Sequence, residues 1–221
     1  MEPTDPGYAG QKHYTPSFLM IYDLLVLELF ARLIWRCPTR LLERQYARHV
    51  GQRHLDVGPG TGYFLARARL PDDSRLLLLD PNPHVLAHAS RRLRHLRPAV
   101  LHADVCKPLL ITEHFDSIAL NYLLHCLPGP MSRRAVAVGQ LAALLESDGV
   151  LFGATVLGTR VLHTRLSYLA LRANNYRGIF DNLTDTEEGL RAILNDSFEV
   201  VTIDLIGSVA IFTATRPRQS L

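Results

Sequence analysis

Residues 54–65 read His-Leu-Asp-Val-Gly-Pro-Gly-Thr-Gly-Tyr-Phe-Leu, and this stretch decides the fold. A short apolar run carrying Asp56 gives way to Gly58, Gly60 and Gly62 at alternate positions, and then to a segment with helical patterning. Glycine has no Cβ, so such a turn lets backbone approach a ligand at the crevice outside the strand ends of a doubly wound sheet. The spacing excludes two familiar alternatives. A dinucleotide fingerprint, G-x-G-x-x-G/A counted from Gly58, would need a small residue where Tyr63 stands, and no Gly-Lys-Ser/Thr follows to make a phosphate loop.

Working outward, the rest of the chain reads as alternating strands and helices. A helix is expected from Ser17 to about Arg36, where Cys37-Pro38 stops it, and a second over 39–49, ending at Gly51. Strands are expected at Arg53–Val57, Arg75–Asp80, Ala99–Ala103, Phe115–Asn121 and Gly149–Val156. Helices are expected at Gly62–Arg69, Pro83–Leu96 and Ser132–Leu145. This βαβ alternation predicts an α/β fold with a parallel sheet covered on both faces. The chain closes differently: Phe198–Ile206 and Ser208–Thr215 meet at Gly207, which predicts a pair of strands joined by a tight turn.

Composition narrows the partners. The 221 residues are 48% hydrophobic and carry a net charge of +3, enough for a substantial core and too little to argue for nucleic acid. Arginine supplies nearly all the positive charge, since Lys12 and Lys107 are the only lysines. Arg91, Arg92, Arg94 and Arg97 form the one basic cluster, which reads as a solvated helix end. Cys37, Cys106 and Cys126 are odd in number and scattered, which predicts reduced thiols in a cytoplasmic protein, with no disulfide framework and no metal site. No signal peptide is evident, and the apolar run 18–35 is interrupted by Asp23, Glu28 and Arg32, so no membrane span is expected.

Asp56-x-Gly58-x-Gly60-x-Gly62 resembles motif I of the class I S-adenosylmethionine (SAM) dependent methyltransferases. Further matching positions extend the resemblance over roughly residues 40–215. Asp80 closes the run Leu76–Leu79, and the terminal strand pair is a trait of that family. The resemblance implies a doubly wound, seven-stranded, mostly parallel sheet with a C-terminal antiparallel hairpin, and SAM as cofactor with S-adenosylhomocysteine as product. It assigns the ribose hydroxyls to Asp80, followed by Pro81. The adenine goes to Asp104 and Val105, and the amino acid part to the loop Asp56, Gly58, Pro59, Gly60, Thr61 and Gly62. Asn121 or Tyr122, at the end of the Phe115–Asn121 strand, would meet the methionine portion. A loop-shaping role for Asp56 and a turn role for Asp104 are the alternatives.

Methyl transfer is an in-line displacement that rewards positioning, and a base helps only if the acceptor must lose a proton. His125 is the candidate base, with Tyr122 beside it, although a buried histidine is as readily a hydrogen-bonded structural group. By family analogy residues 1–50 form a helical lid over a SAM-binding domain of residues 51–221. Tyr14 and Tyr22 would come from that lid, Tyr22 near the cofactor, and His163 and Tyr176 from an insert at 160–180. Their apolar surroundings suit a small hydrophobic acceptor. No Asn/Asp-Pro-Pro-Tyr/Phe tetrad follows the Phe115 strand and no acidic trio suggests magnesium, which points to a metal-independent enzyme on a small metabolite, of the kind found in secondary metabolism. A cyclase or isomerase that keeps SAM intact, and a non-catalytic protein acting through a partner, are the alternatives. The apolar 18–35 segment also permits a homodimer.

Overall fold

A computed structural model describes residues 31–218 of the chain. Seven strands form one sheet: β1 (Arg53–Val57), β2 (Arg75–Asp80), β3 (Ala99–His102), β4 (Phe115–Asn121), β5 (Leu145–Val156), β6 (Phe198–Ile206) and β7 (Val209–Pro217). Their order is β3-β2-β1-β4-β5-β7-β6. The first five run parallel, and β7 is antiparallel to both neighbours, pairing Val156 with Val209 and Ile206 with Val209 across its two edges.

Helices α1 (Thr39–His49), α2 (Pro83–Arg92), α3 (Met131–Ala143), α4 (Arg165–Tyr176) and α5 (Glu187–Ser197) cover the sheet. One face packs Leu55, Val57, Ile118 and Leu120 against Val138 and Leu141 of α3 and Leu190 and Leu194 of α5. The other packs Leu78, Ala119 and Phe152 against Leu42 and Tyr46 of α1 and Leu86 and Ala89 of α2. The period of two along each strand therefore sends adjacent residues into different cores. Caps fix the helix starts. Asn82 accepts from the His84 N–H ahead of Pro83 at the first helical position, and Thr186 accepts from the Gly189 N–H.

Several elements differ from expectation: the helix Arg165–Tyr176 was not expected, and the helix expected over Pro83–Leu96 ends at Arg92, ahead of a 3₁₀ turn over Arg94–Leu96. The helix expected over Gly62–Arg69 is an irregular series of turns, in which Ala66 N–H donates to Gly62 O and Arg67 N–H to Phe64 O. Tyr63, Phe64 and Leu65 are all buried, and a regular helix buries one stripe, not three residues in succession. Helix α5 was unread, although Thr186, two glutamates in the first turn and Leu190, Ile193 and Leu194 spell it out. Of the helix expected from Ser17, only its end lies within the described residues, where Ala31–Leu33 is helical and the chain extends through Pro38. Among the described residues no helix is long and apolar enough to cross a membrane.

Candidate active site

Strand order reverses between β1 and β4, and the crevice outside their carboxyl ends is where such sheets bind ligands. The glycine loop leaves β1 at this point. Gly58, Gly60 and Gly62 have φ of +68°, +56° and +72°, and the loop is held by Gly58 N–H donating to Leu79 O and Gly62 N–H to Pro59 O. A Cβ on Gly58 would press on Leu123 at 3.2 Å and one on Gly62 on Leu93 at 3.1 Å, whereas one on Gly60 would meet nothing within 4 Å. Two of the glycines thus serve packing, and Gly60 borders open space. Thr61 is buried, its hydroxyl accepting from Arg92 of α2 at 3.0 Å.

Three polar side chains converge on the α1 face of the strand ends. Asp56 is buried beneath α1, where the Tyr46 hydroxyl donates to Oδ2 at 3.1 Å and to Oδ1 at 3.3 Å. Burial pushes its carboxyl up to about 7, tempered by the Tyr46 hydrogen bond. Asp80, at the end of β2, accepts from the Asn82 N–H at 2.7 Å and is likewise raised by burial to about 7. Asn121 ends β4, is 7% exposed, and neither of its amide atoms has a hydrogen-bond partner. A buried amide left unsatisfied costs about 1–3 kcal/mol.

The raised carboxyl of Asp56 gives stability a predictable slope. Its folded form holds a proton up to about pH 7 while the unfolded form releases it near 3.8, so its contribution falls as pH rises from 4 to 7. Asp56→Asn should raise unfolding free energy at pH 8 by about 2–4 kcal/mol and remove about half of that slope, Asp80 supplying the rest. Urea unfolding at pH 5 and pH 8 checks this; an unaltered slope would refute it.

The remaining positions surround this core. Asp104 Oδ1 accepts from the Cys106 N–H, and Val105 is buried with its carbonyl accepting from Gln140. Pro81 O accepts from His102 Nε2. Tyr122 follows β4 with φ +53°, a strained value for a bulky residue, held by its N–H donating to Ala154 O. His125 sits on a 3₁₀ turn rather than an α-helix, 3% exposed. Its Nδ1 lies 3.2 Å from the Thr155 hydroxyl and accepts from the Val156 N–H, also at 3.2 Å, and burial holds its pKa down to about 3. That places the proton on Nε2 and gives the ring little capacity to act as a base near neutrality.

The methyltransferase domain family matches residues 55–151. The chain is 40% identical over 221 residues to the "Physcion biosynthesis cluster O-methyltransferase" of Aspergillus chevalieri, covering 99% of this chain and 98% of the relative. It belongs to the class I SAM-dependent methyltransferases. This methyltransferase is also 37% identical to demethylluteothin O-methyltransferase of Streptomyces thioluteus, over 93% of this chain and 90% of that one. Its fold matches the N-methyltransferase NodS of Bradyrhizobium japonicum in complex with S-adenosylhomocysteine, with a TM-score of 0.60 and 16% identity over 81% of this chain and 88% of that one. SAM is its cofactor and small molecules are its substrates.

The predicted acceptor-side residues of the methyltransferase fare unevenly. Tyr14 and Tyr22 lie outside the described residues. His163 is tied down at both ring nitrogens, Nε2–H to Leu157 O at 3.1 Å and Nδ1 to the Ser167 hydroxyl at 3.3 Å. Tyr176 ends α4 and is 94% exposed among the described residues. Only Ser167 and Leu171 of α4 are buried, and a residue five positions past Leu171 falls about 140° around the helix. Sequence reading missed Tyr46, whose one signal was its i+4 spacing from Leu42, and Phe180, whose ring lies 4.4 Å from that of His125 and 5.9 Å from Trp35. Among the described residues no group of His, Cys, Asp or Glu is arranged to hold a metal.

Proposed function

We propose that this enzyme transfers the methyl group of SAM to a hydroxyl oxygen of a small, largely hydrophobic metabolite of secondary metabolism, without a metal, in the cytoplasm. The observation that carries the cofactor assignment is the convergence of Asp56, Asp80 and the unsatisfied Asn121 on one face of the crevice, beside the open position at Gly60. The choice of oxygen rests on the two O-methyltransferases matched nearly end to end. Such matches favour transfer over a SAM-retaining cyclisation and over a partner-binding role.

In this reading the Asp80 carboxylate accepts from the ribose hydroxyls, and Asp104 and Val105 hold the adenine. The loop from Gly58 to Gly62 bounds the amino acid part, which Asp56 and Asn121 receive. When bound, the cofactor supplies an electrophilic methyl carbon on a sulfonium. The chain's contribution is to hold and dehydrate the acceptor beside it. Tyr122, His125, Phe180 and Trp35 form a continuous row of rings past the end of β4, and this apolar wall suits the acceptor. His125, neutral and already accepting from Val156 N–H, orients that wall. The acceptor's proton then passes to solvent. Trp35 and Phe180 bring the chain before α1 and the insert at 160–180 to this side.

Calorimetric titration of SAM tests the assignment. Wild type should bind with micromolar affinity and Asp80→Ala at least about tenfold more weakly, a loss of roughly 1.4 kcal/mol. Formation of S-adenosylhomocysteine in proportion to an O-methylated product from a panel of hydroxylated acceptors completes the test. Equal affinity in the variant, or cofactor recovered intact after turnover, would overturn the reading.

A further inference from the structure

Tyr46 stands outside the strand-and-loop set that forms the crevice, yet its hydroxyl donates to the Asp56 carboxylate. Its ring is fixed on three sides. It stacks on Phe64 at 5.1 Å and 15°, meets Phe152 edge-on at 5.3 Å and 90°, and lies 6.2 Å from the His54 ring. The neighbouring Gln45 anchors α1 to the sheet by donating from Nε2 to Phe212 O at 3.0 Å. The hydroxyl therefore cannot swing away from Asp56 without moving the helix. Burial raises the phenol well above its ordinary pKa, so it remains a donor throughout the working range.

Acceptor sites in the cluster stand unfilled. A carboxylate offers about four acceptor sites, and the Tyr46 hydroxyl, shared between its two oxygens, fills few of them. Asn121 lies near enough to temper the tyrosine's shift, yet neither of its amide atoms completes a hydrogen bond. Among the described residues, the groups beside Asp56 bring no positive charge. Its cross-strand neighbours are Leu78 and Ala119, and His54, two residues earlier, is bonded to Ser117 and held neutral by burial. A buried carboxylate and an amide oxygen with unfilled acceptor sites are complementary to an ammonium group, which brings three donors and a charge.

We propose that Tyr46 is a positioning residue for cofactor binding, its hydroxyl aiming the Asp56 carboxylate, with the Asn121 amide, at the ammonium of the cofactor's amino acid part. The inference rests on the SAM reading of the crevice. Helix α1 thereby takes a direct part in cofactor affinity, although it precedes every strand of the sheet. Tyr46 acts through Asp56, so its removal should alter the protonation of the site as well as the strength of binding.

The test is titration of the full chain with S-adenosylhomocysteine and, separately, with 5′-methylthioadenosine, which lacks the amino acid part, between pH 6 and 9. Wild-type affinity for S-adenosylhomocysteine should weaken as pH falls through about 7, where Asp56 takes up its proton. Tyr46→Phe keeps the ring against Phe64 and Phe152. It should weaken S-adenosylhomocysteine roughly tenfold at pH 8 and move the acid limb to higher pH, leaving 5′-methylthioadenosine within about twofold. On an Asp56→Asn background, which also guards against loss of the fold, Tyr46→Phe should have almost no further effect. Equal weakening of both ligands, or an acid limb that stays in place, would overturn the proposal. Failure of wild type to bind either ligand would instead overturn the SAM reading itself.

Discussion

Arg134→Met should lower the free energy of unfolding by about 3–5 kcal/mol, a large part of the 5–15 kcal/mol typical of a domain. Arg134 is 1% exposed and lies on α3. Its guanidinium donates to the carboxylate of Asp185, to the carbonyl of Asp181, to Leu127 O at 3.2 Å and to Gly129 O at 3.1 Å. Asp185 is itself 2% exposed, and its backbone carbonyl receives the Gly158 and Thr159 N–H groups. One side chain therefore fastens the turn after β4, the segment before α5 and the end of β5. Removing it strands a carboxylate and three carbonyls, and the Asp185 carboxyl, already raised by burial, loses the cation that restrains it. The double variant Arg134→Met/Asp185→Leu should recover much of the loss, because the expensive species is the unpaired charge. Urea unfolding of both variants decides the matter. A loss below about 1 kcal/mol in the single variant would show that the pair contributes little.

Gly60→Val should reduce S-adenosylhomocysteine affinity roughly 100-fold or more while costing stability only about 1–2 kcal/mol. The stability cost comes from the φ of +56°, since a new Cβ meets no atom within 4 Å. The binding cost arises because that open space belongs to the ligand in the reading above. Gly62→Val is the instructive contrast: it carries a φ of +72° and drives a Cβ to 3.1 Å from Leu93 and 3.5 Å from the Ala89 backbone. Its larger effect should fall on folding. Comparing calorimetric affinities with unfolding free energies separates the two roles, and a Gly60→Val protein that binds normally would place the ligand elsewhere.

The fold was legible where local chemistry and tertiary context agree. Strands β1, β2 and β4 have the bounds that their apolar runs predict, and Thr39–His49 is the helix expected between Pro38 and Gly51. Legibility failed where burial overrode periodicity, as at Tyr63–Leu65. At the site, the acids that end strands were readable because their place in the chain fixes their place in the crevice. Tyr46 was not, because its meeting with Asp56 depends on the rotation of α1 over β4 and β5. The environment of His125 was also hidden: its acceptor bond comes from Val156, 31 residues away on β5.

Strand β7 follows every other strand in the chain, yet it lies between β5 and β6. The sheet therefore grows inward at its last step. As the polypeptide emerges from the ribosome, β6 has no partner strand until β7 arrives, and the Val150–Val156 edge of β5 stays open in the meantime. Vectorial synthesis thus leaves the β5 side of the sheet unfinished until β7 is made, and the nascent chain carries an exposed pairing edge throughout that interval.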